Sequence, residues 1–251
     1  MSVSAPPRAP PARVPLQPGL EPVHALDRDT ATAMHRLYHR YYAGADRARF
    51  EADLAAKHWA LVLREPSGAV RGFSTFHVGE ERVDDTPVRV VFSGDTVVDH
   101  RWWGQQALAF AWLRATGQLW AEAPERPLLW LLIVKGHRTY RYLGTFARTH
   151  VPHWTQPPDP WLRHALDVLA ARRFGDAYDR ERGVVAFGRS HGHLRPGWAW
   201  PDARERARPD VAFFLRRNPG FTRGEELACV TRLAPDNLRP LARRVFEQGM
   251  P

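Results

Sequence analysis

A chain of 251 residues that is 44% hydrophobic, with 10 Trp, 12 Phe and 6 Tyr, holds enough apolar material for a real core and excludes a disordered composition. Its single cysteine, Cys229, excludes an internal disulfide and a cysteine-cluster metal site. The net charge of +9 comes almost wholly from arginine spread along the chain, since of 36 basic residues only Lys57 and Lys135 are lysines; with no basic block this reads as GC-rich codon usage rather than a nucleic-acid surface.

Residues 1–20 are rich in Pro and Ala, lack the apolar stretch of a signal peptide, and are expected to be a loose, disordered tail. Residues 21–251 are expected to form one domain. "VHAL" at 23–26 is predicted as a short first strand, followed by a helix capped by Asp27 or Asp29 with Met34, Leu37, Tyr38 and Tyr41 on one stripe. Gly44 ends that helix and Asp46 opens a second, toward Lys57. "HWALVLR", "EPSG" and "AVRGFSTFHV" make a hairpin, and "VRVVFSGDTVV" a longer strand. Residues 105–119 are predicted as a helix with Leu108, Ala111, Trp112 and Ala115 on one face. "LLWLLIV" at 128–134, between Pro127 and Gly136, is apolar on both faces as a central strand is. It is also the longest apolar run, far short of the roughly 20 residues that span a bilayer, so a cytoplasmic protein with no membrane partner is expected.

"GHRTYRYLGTF" follows as a helix, prolines 152, 157, 158 and 160 mark a break, and residues 161–173 form another helical stripe. An inserted region of helix and loop is expected at about 155–209, irregular beyond residue 175. "DVAFFLRRNPGFTRGEELACVTRL" is predicted as a closing hairpin turning at Asn218-Pro219-Gly220 and Gly224. The order predicts a mixed α/β (α+β) sheet flanked by helices.

The stretch "SGDTVVDHRWWGQQAL" at 93–108 carries the most chemistry. A glycine inside a strand marks a bulge or a close backbone approach, which Ser93-Gly94 supplies beside Asp95. Arg101-Trp102-Trp103-Gly104-Gln105-Gln106 then lies between a strand and a helix, where unpaired amides and the helix dipole favour an anion. The bland alternative is that Gly104 only turns the chain and both Trp pack as core.

These residues, in this strand order, resemble the GNAT superfamily of N-acetyltransferases over roughly residues 23–150. Arg101-x-x-Gly104 resembles the family's pyrophosphate loop, and "LLWLLIVKGHRTYRYLGTF" resembles its next strand and helix. The resemblance implies a GNAT-like sheet splayed between its fourth and fifth strands, with an acyl thioester in the splay. The loop 101–106 would hold the donor, and an N–H near Val97 or Val98 would polarise the thioester carbonyl. Gln106 departs from the small residue of the family pattern, and Trp102 and Trp103 are bulky for a phosphate loop. That opens the alternative of an acyl carrier protein's phosphopantetheine in place of acyl-CoA.

Asp95 would relay a proton from the attacking amine, or else cap or pair with an arginine. Tyr140 and Tyr142 compete as proton donor to the leaving thiol; they point roughly 200° apart on a helix, so only one can face the cleft. The alternative for either is a core tyrosine with a satisfied hydroxyl. His35 and His39 lie one helical turn apart but lack a third ligand, and His191 and His193 lie in the insertion, so no metal is expected. Cys229 in an alternating strand reads as a buried thiol. The expected activity is N-acyl transfer from acyl-CoA or acyl carrier protein to the amine of a small molecule. An acidic carrier protein is the one protein partner the basic surface suggests. The rivals are a non-catalytic ligand- or partner-binding protein of the same fold and, behind it, a nucleic-acid binder.

Overall fold

A computed structural model describes residues 14–249, so residues 1–13 of the expected tail lie outside the described ones. Strand β1 (Gln17–Pro22) begins inside the stretch read as tail, and the strand expected at 23–26 is instead a short 3-10 turn, Val23–Ala25. Pro18, Gly19 and Pro22 disguise β1, but it lies at the sheet edge, where a missing N–H costs least.

Helix α1 (Arg28–Tyr41) is capped by Asp27, whose carboxylate accepts from Thr30 N–H at 2.7 Å, and buries Met34, Leu37, Tyr38 and Tyr41 as its spacing requires. After β2 (Tyr42–Ala43), Asp46 caps α2 (Arg47–Ala55). Strands β3 (Trp59–Arg64), β4 (Val70–Val83) and β5 (Thr86–Val98) form an antiparallel meander with β1. Helix α3 (Ala107–Glu122) crosses over to β6 (Leu128–Val134), which pairs parallel with β5. Helix α4 (His137–Phe146) follows, then α5 (Pro160–Phe174) capped by Asp159.

The inserted region adds the short strands β7 (Tyr178–Asp179), β8 (Val184–Val185) and β9 (His193–Leu194), and the short helices α6 (Pro196–Ala199) and α7 (Ala203–Arg206). The expected closing hairpin is a helix followed by one strand, α8 (Pro209–Arg217) and β10 (Glu226–Arg232), before α9 (Pro240–Gln248). Pro209 at the first helical position, Asp210 in the first turn and the buried pair Val211 and Phe214 give α8 its start and its face; the two phenylalanines disguised it as strand.

The eight-stranded sheet runs β1-β3-β4-β5-β6-β10-β8-β7, and β5–β6 is its one parallel pair. This mixed sheet flanked by helices is the fold class the order of elements implied. On one face α3, α4 and α9 cover Leu61, Phe76, Trp130 and Leu132. Helices α3 and α9 touch at Gly117, where a Cβ would fall 1.9 Å from the Phe246 carbonyl oxygen. The other face is covered in two parts, by α1 and α2 over β3 and β4 and by α5 over β5, β6 and β10. Each face therefore has a gap between its helices, and both gaps fall at the same end of β5 and β6.

Candidate active site

Strands β5 and β6 pair only from Arg89↔Leu128 to Ser93↔Leu132, although β5 continues to Val98 and β6 to Val134. The cause is a bulge. On β4 the step from Ser74 to Phe76 spans two residues, whereas on β5 the matching step from Thr96 to Ser93 spans three. The extra residue bends β5 away from its neighbour. Gly94 is required there, because a Cβ would lie 2.5 Å from both Lys57 Cε and Thr75 Oγ1. At the apex the Trp130 indole donates to Ser93 Oγ at 2.6 Å. The expected splay is thus present, and the bulge at Ser93-Gly94 produces it.

Cavities open on either side of the splay, and Tyr42, Thr96 and Thr139 border both. The first, about 410 Å³, lies between α3 and α4. Its floor is the loop after β5. Asp99 N–H bonds to Arg71 O at 2.7 Å, so strand alternation turns Val97 N–H toward β4 and Val98 N–H toward the open edge. The Trp103 indole occupies the neighbouring Val98 carbonyl at 2.8 Å. Gly104 has φ +96 and nothing within 4 Å of where a Cβ would stand. The first main-chain bond closing α3 is Phe110 N–H to Gln106 O, and Gln106 makes no side-chain cap. The amides of Ala107, Leu108 and Ala109 therefore face outward without an intrahelical partner, as at any helix start.

The loop side chains do other work. Arg101 is turned onto the buried Asp99, with Nη2–Oδ2 at 2.9 Å, and does not line the cavity, which corrects its expected donor contact. Asp99 also takes Arg40 at 2.8 Å, and these bonds hold its carboxyl below the usual range despite burial. Trp102 is buried, with the Arg71 and Arg101 guanidiniums 5.0 and 4.8 Å from its ring, and it lines the cavity together with Gln105 and Gln106. Trp103 is 40% exposed and forms a cavity wall, with the Arg138 guanidinium 4.6 Å over its ring and Trp198 5.6 Å away. Gln105 ties down the N-terminal segment, donating to Val14 O at 3.2 Å and accepting from Leu16 N–H at 3.3 Å.

The tyrosines part as the helix geometry demands. Tyr140 is fully buried, its hydroxyl donates to Pro152 O at 2.9 Å, and it lines neither cavity, so its expected thiol-facing role is corrected to a core one. Tyr142 lines the first cavity and a small apolar recess under the splay apex, and burial raises its pKa, keeping the phenol protonated.

The second cavity, about 430 Å³, lies between α1–α2 and α5. Asp95 opens into it. Lys135 at the end of β6 stands 3.9 Å from Asp95 and 3.7 Å from Glu226, which begins the adjacent strand β10. Burial pushes the Asp95 carboxyl up to about 6 against the pull of Lys135, and burial with Asp95 nearby pushes Glu226 up to about 7. Burial disfavours the Lys135 ammonium, but Glu226, Tyr38 and Asp95 outweigh it and hold its pKa above the ordinary value. Lys57, also buried, pairs with Asp53 at 2.7 Å.

Glu226, Lys57 and Asp53 were not expected in a site. A charged residue opening an otherwise apolar strand was the one available signal for Glu226. Cys229 is fully buried, and no group of three or more His, Cys, Asp or Glu placed to hold a metal occurs among the described residues. No helix among them is long and apolar enough to cross a membrane.

No protein-family model and no curated protein matches the chain. Among solved structures it is similar to a conserved protein from Enterococcus faecalis V583, described as a probable N-acyltransferase, with TM-score 0.39, 13% identity, 53% of this chain covered and 33% of that one. It therefore spans about a third of that protein's length. A GNAT-family N-acetyltransferase from Escherichia coli, in complex with CoA, gives TM-score 0.39 and 18% identity over 55% of this chain and 71% of that one. An aminoglycoside acetyltransferase from an uncultured soil metagenomic sample, in complex with trehalose, gives TM-score 0.33 and 17% identity over 47% and 76%. The splayed parallel pair at the centre of the sheet is itself the feature the GNAT resemblance implied.

Proposed function

We propose that the protein is an N-acyltransferase that moves an acyl group from acyl-CoA to the amine of a small molecule by direct attack. The observation that carries this reading is the splay past Ser93 and Leu132, which joins a cavity floored by free amides to a cavity holding raised-pKa carboxylates. A thioester supplies an activated acyl carbon and a thiolate leaving group. The residues of the first cavity fit such a donor: Gly104 leaves the main chain open to close approach, and the α3 amides with their dipole suit a pyrophosphate.

In this reading Val98 N–H, on the free edge of β5, stabilises negative charge developing on the carbonyl oxygen. The Asp95–Lys135–Glu226 group takes the proton from the amine as nitrogen bonds to the acyl carbon. Tyr142, on the side of the leaving sulfur, donates its proton as the C–S bond breaks and recovers one from solvent. Lys135 keeps one of the two carboxylates ionised near neutrality by sitting between them.

The test is release of free thiol from acetyl-CoA, longer acyl-CoAs and acyl carrier protein across a panel of amines. Turnover with a CoA thioester is expected. Turnover with carrier protein alone would move the donor to phosphopantetheine, and tight CoA binding with no thiol release for any amine would favour a non-catalytic binder.

A further inference from the structure

The second cavity has an uneven charge balance that points to a ligand class, given the acyl-transfer reading of the slot on which it rests. Its floor contains two internal pairings. Lys57 is taken by Asp53 at 2.7 Å, and Lys135 is shared between Asp95 and Glu226 at 3.9 and 3.7 Å. One ammonium for two carboxylates leaves the floor one negative charge in excess when both are ionised.

The rim has the opposite sign. Arg49 on α2 and Arg173 near the end of α5 both line the cavity, and neither makes an ion pair among the described residues. Each guanidinium is nonetheless fixed by aromatic or ring contacts. Arg173 lies 3.8 Å over the face of Phe92. Arg49 Nη2 contacts both ring nitrogens of His191, and that ring stacks on Phe187 at 3.7 Å. Burial and the neighbouring Arg49 and Lys135 hold the His191 pKa below its ordinary value, so the ring stays a neutral acceptor for the guanidinium. Arg173, laid on a ring, keeps its N–H edge free for a carboxylate or phosphate, whereas Arg49 spends Nη2 on His191 and offers its remaining N–H donors.

We propose that the acceptor is a zwitterionic amine carrying a carboxylate or phosphate, its ammonium end seated at Asp95 and Glu226 and its anionic end held by Arg49 and Arg173. The floor attracts the amine in its protonated form, takes a first proton from it before attack and releases that proton to solvent, so that it is ionised again to take the second as nitrogen bonds to the acyl carbon. The rim sets the ligand's direction, so that the amine and not the anionic end enters the splay. Aromatic walls from Phe50, Phe92, Phe174 and Phe187 suit an apolar body between the two ends.

The experiment titrates the full chain calorimetrically with two matched pairs, phenylalanine against phenylalaninamide and O-phosphoethanolamine against ethanolamine, alongside thiol release from acetyl-CoA with the same amines. In at least one pair the anionic amine is expected to bind on the order of tenfold tighter, the effect of one charged hydrogen bond. Arg173→Ala and Arg49→Ala should each pull that ratio toward one. Preference within the first pair assigns a carboxylate, within the second a phosphate. A ratio near one in the unaltered chain, no binding of either anionic probe, or a ratio indifferent to both substitutions overturns the proposal. Thiol release with neutral amines and no anion preference would overturn it while leaving acyl transfer standing. Anion-preferring binding without thiol release would keep the ligand class and overturn the transfer.

Discussion

The two cavities that meet at the splay are made of different material. On the α3–α4 side the features that suit a donor belong to the main chain: the outward amide of Val98, the open backbone at Gly104 and the amides of Ala107, Leu108 and Ala109, which have no main-chain partner among the described residues. The nearby side chains serve as walls and anchors, as Trp103, Arg101 and Gln105 do. On the α1–α2–α5 side the main chain is only a frame. The chemistry there lies in Asp95 within β5, Lys135 just past β6 and Glu226 at the start of β10. A cleft that binds a constant nucleotide portion through its backbone and a variable partner through side chains can change the second without rebuilding the first.

The strongest way to break this contrast is to neutralise the side-chain half. Glu226→Gln and Asp95→Asn should each lower kcat/KM by about 10²- to 10⁴-fold. A base works ionised, so in the unaltered protein kcat/KM should climb with pH through the range set by carboxyls at about 6 and about 7, then level off. Glu226→Gln should move that limb toward the lower value. A profile flat between about pH 5 and 8 would show that neither carboxylate is the base.

The tyrosine pair gives the next largest effect. Tyr142→Phe should slow turnover by about 10²-fold with donor affinity nearly intact. Tyr140→Phe should leave turnover in place and cost about 0.5–1.5 kcal/mol in chemical denaturation, because Pro152 O loses one of its two partners and keeps His150 Nδ1 at 2.9 Å. Equal kinetic effects in the two variants would sink the assignment of Tyr142 to the slot.

The contrast also explains what could be read from the sequence. A Gly within a β-branched run and an Arg-x-x-Gly corner before a helix are local signals, and they located the bulge and the loop, whereas the splay was expected only from the family resemblance. Glu226 lies 131 positions beyond Asp95, and nothing near "GEELACV" says that it will face Lys135 across the β6–β10 ladder. The same logic separates the loop's own residues. That Gly104 turns the chain was readable, but that Arg101 would be claimed by Asp99 depended on burial of the carboxylate, which is a tertiary fact. Misread elements were those where composition opposed position: the proline-bearing edge strand β1 and the phenylalanine-rich helix α8.

Gly94→Ala probes the frame that both halves share. The added methyl would meet Lys57 Cε and Thr75 Oγ1 at 2.5 Å, with the Lys57 ammonium already committed to Asp53. Overpacking of this kind should cost about 1–3 kcal/mol of stability, read from the denaturation midpoint. An unchanged midpoint would mean that the bulge has room to spare and that glycine is not what opens the splay.

The smallest expected effect is the sharpest test of a donor side built from backbone. Gln106 is exposed at the start of α3 and its side chain caps nothing, although its amide group stands where the family pattern has a small residue. If the phosphates are held by amides and the helix dipole, Gln106→Ala removes no contact and relieves what crowding there is. Donor affinity should then stay within about threefold, under about 0.7 kcal/mol, in a calorimetric titration with CoA. A loss of about tenfold or more would place a side chain among the phosphate ligands. The two cavities would then be built on the same principle, and a change of donor would be as accessible to substitution as a change of acceptor.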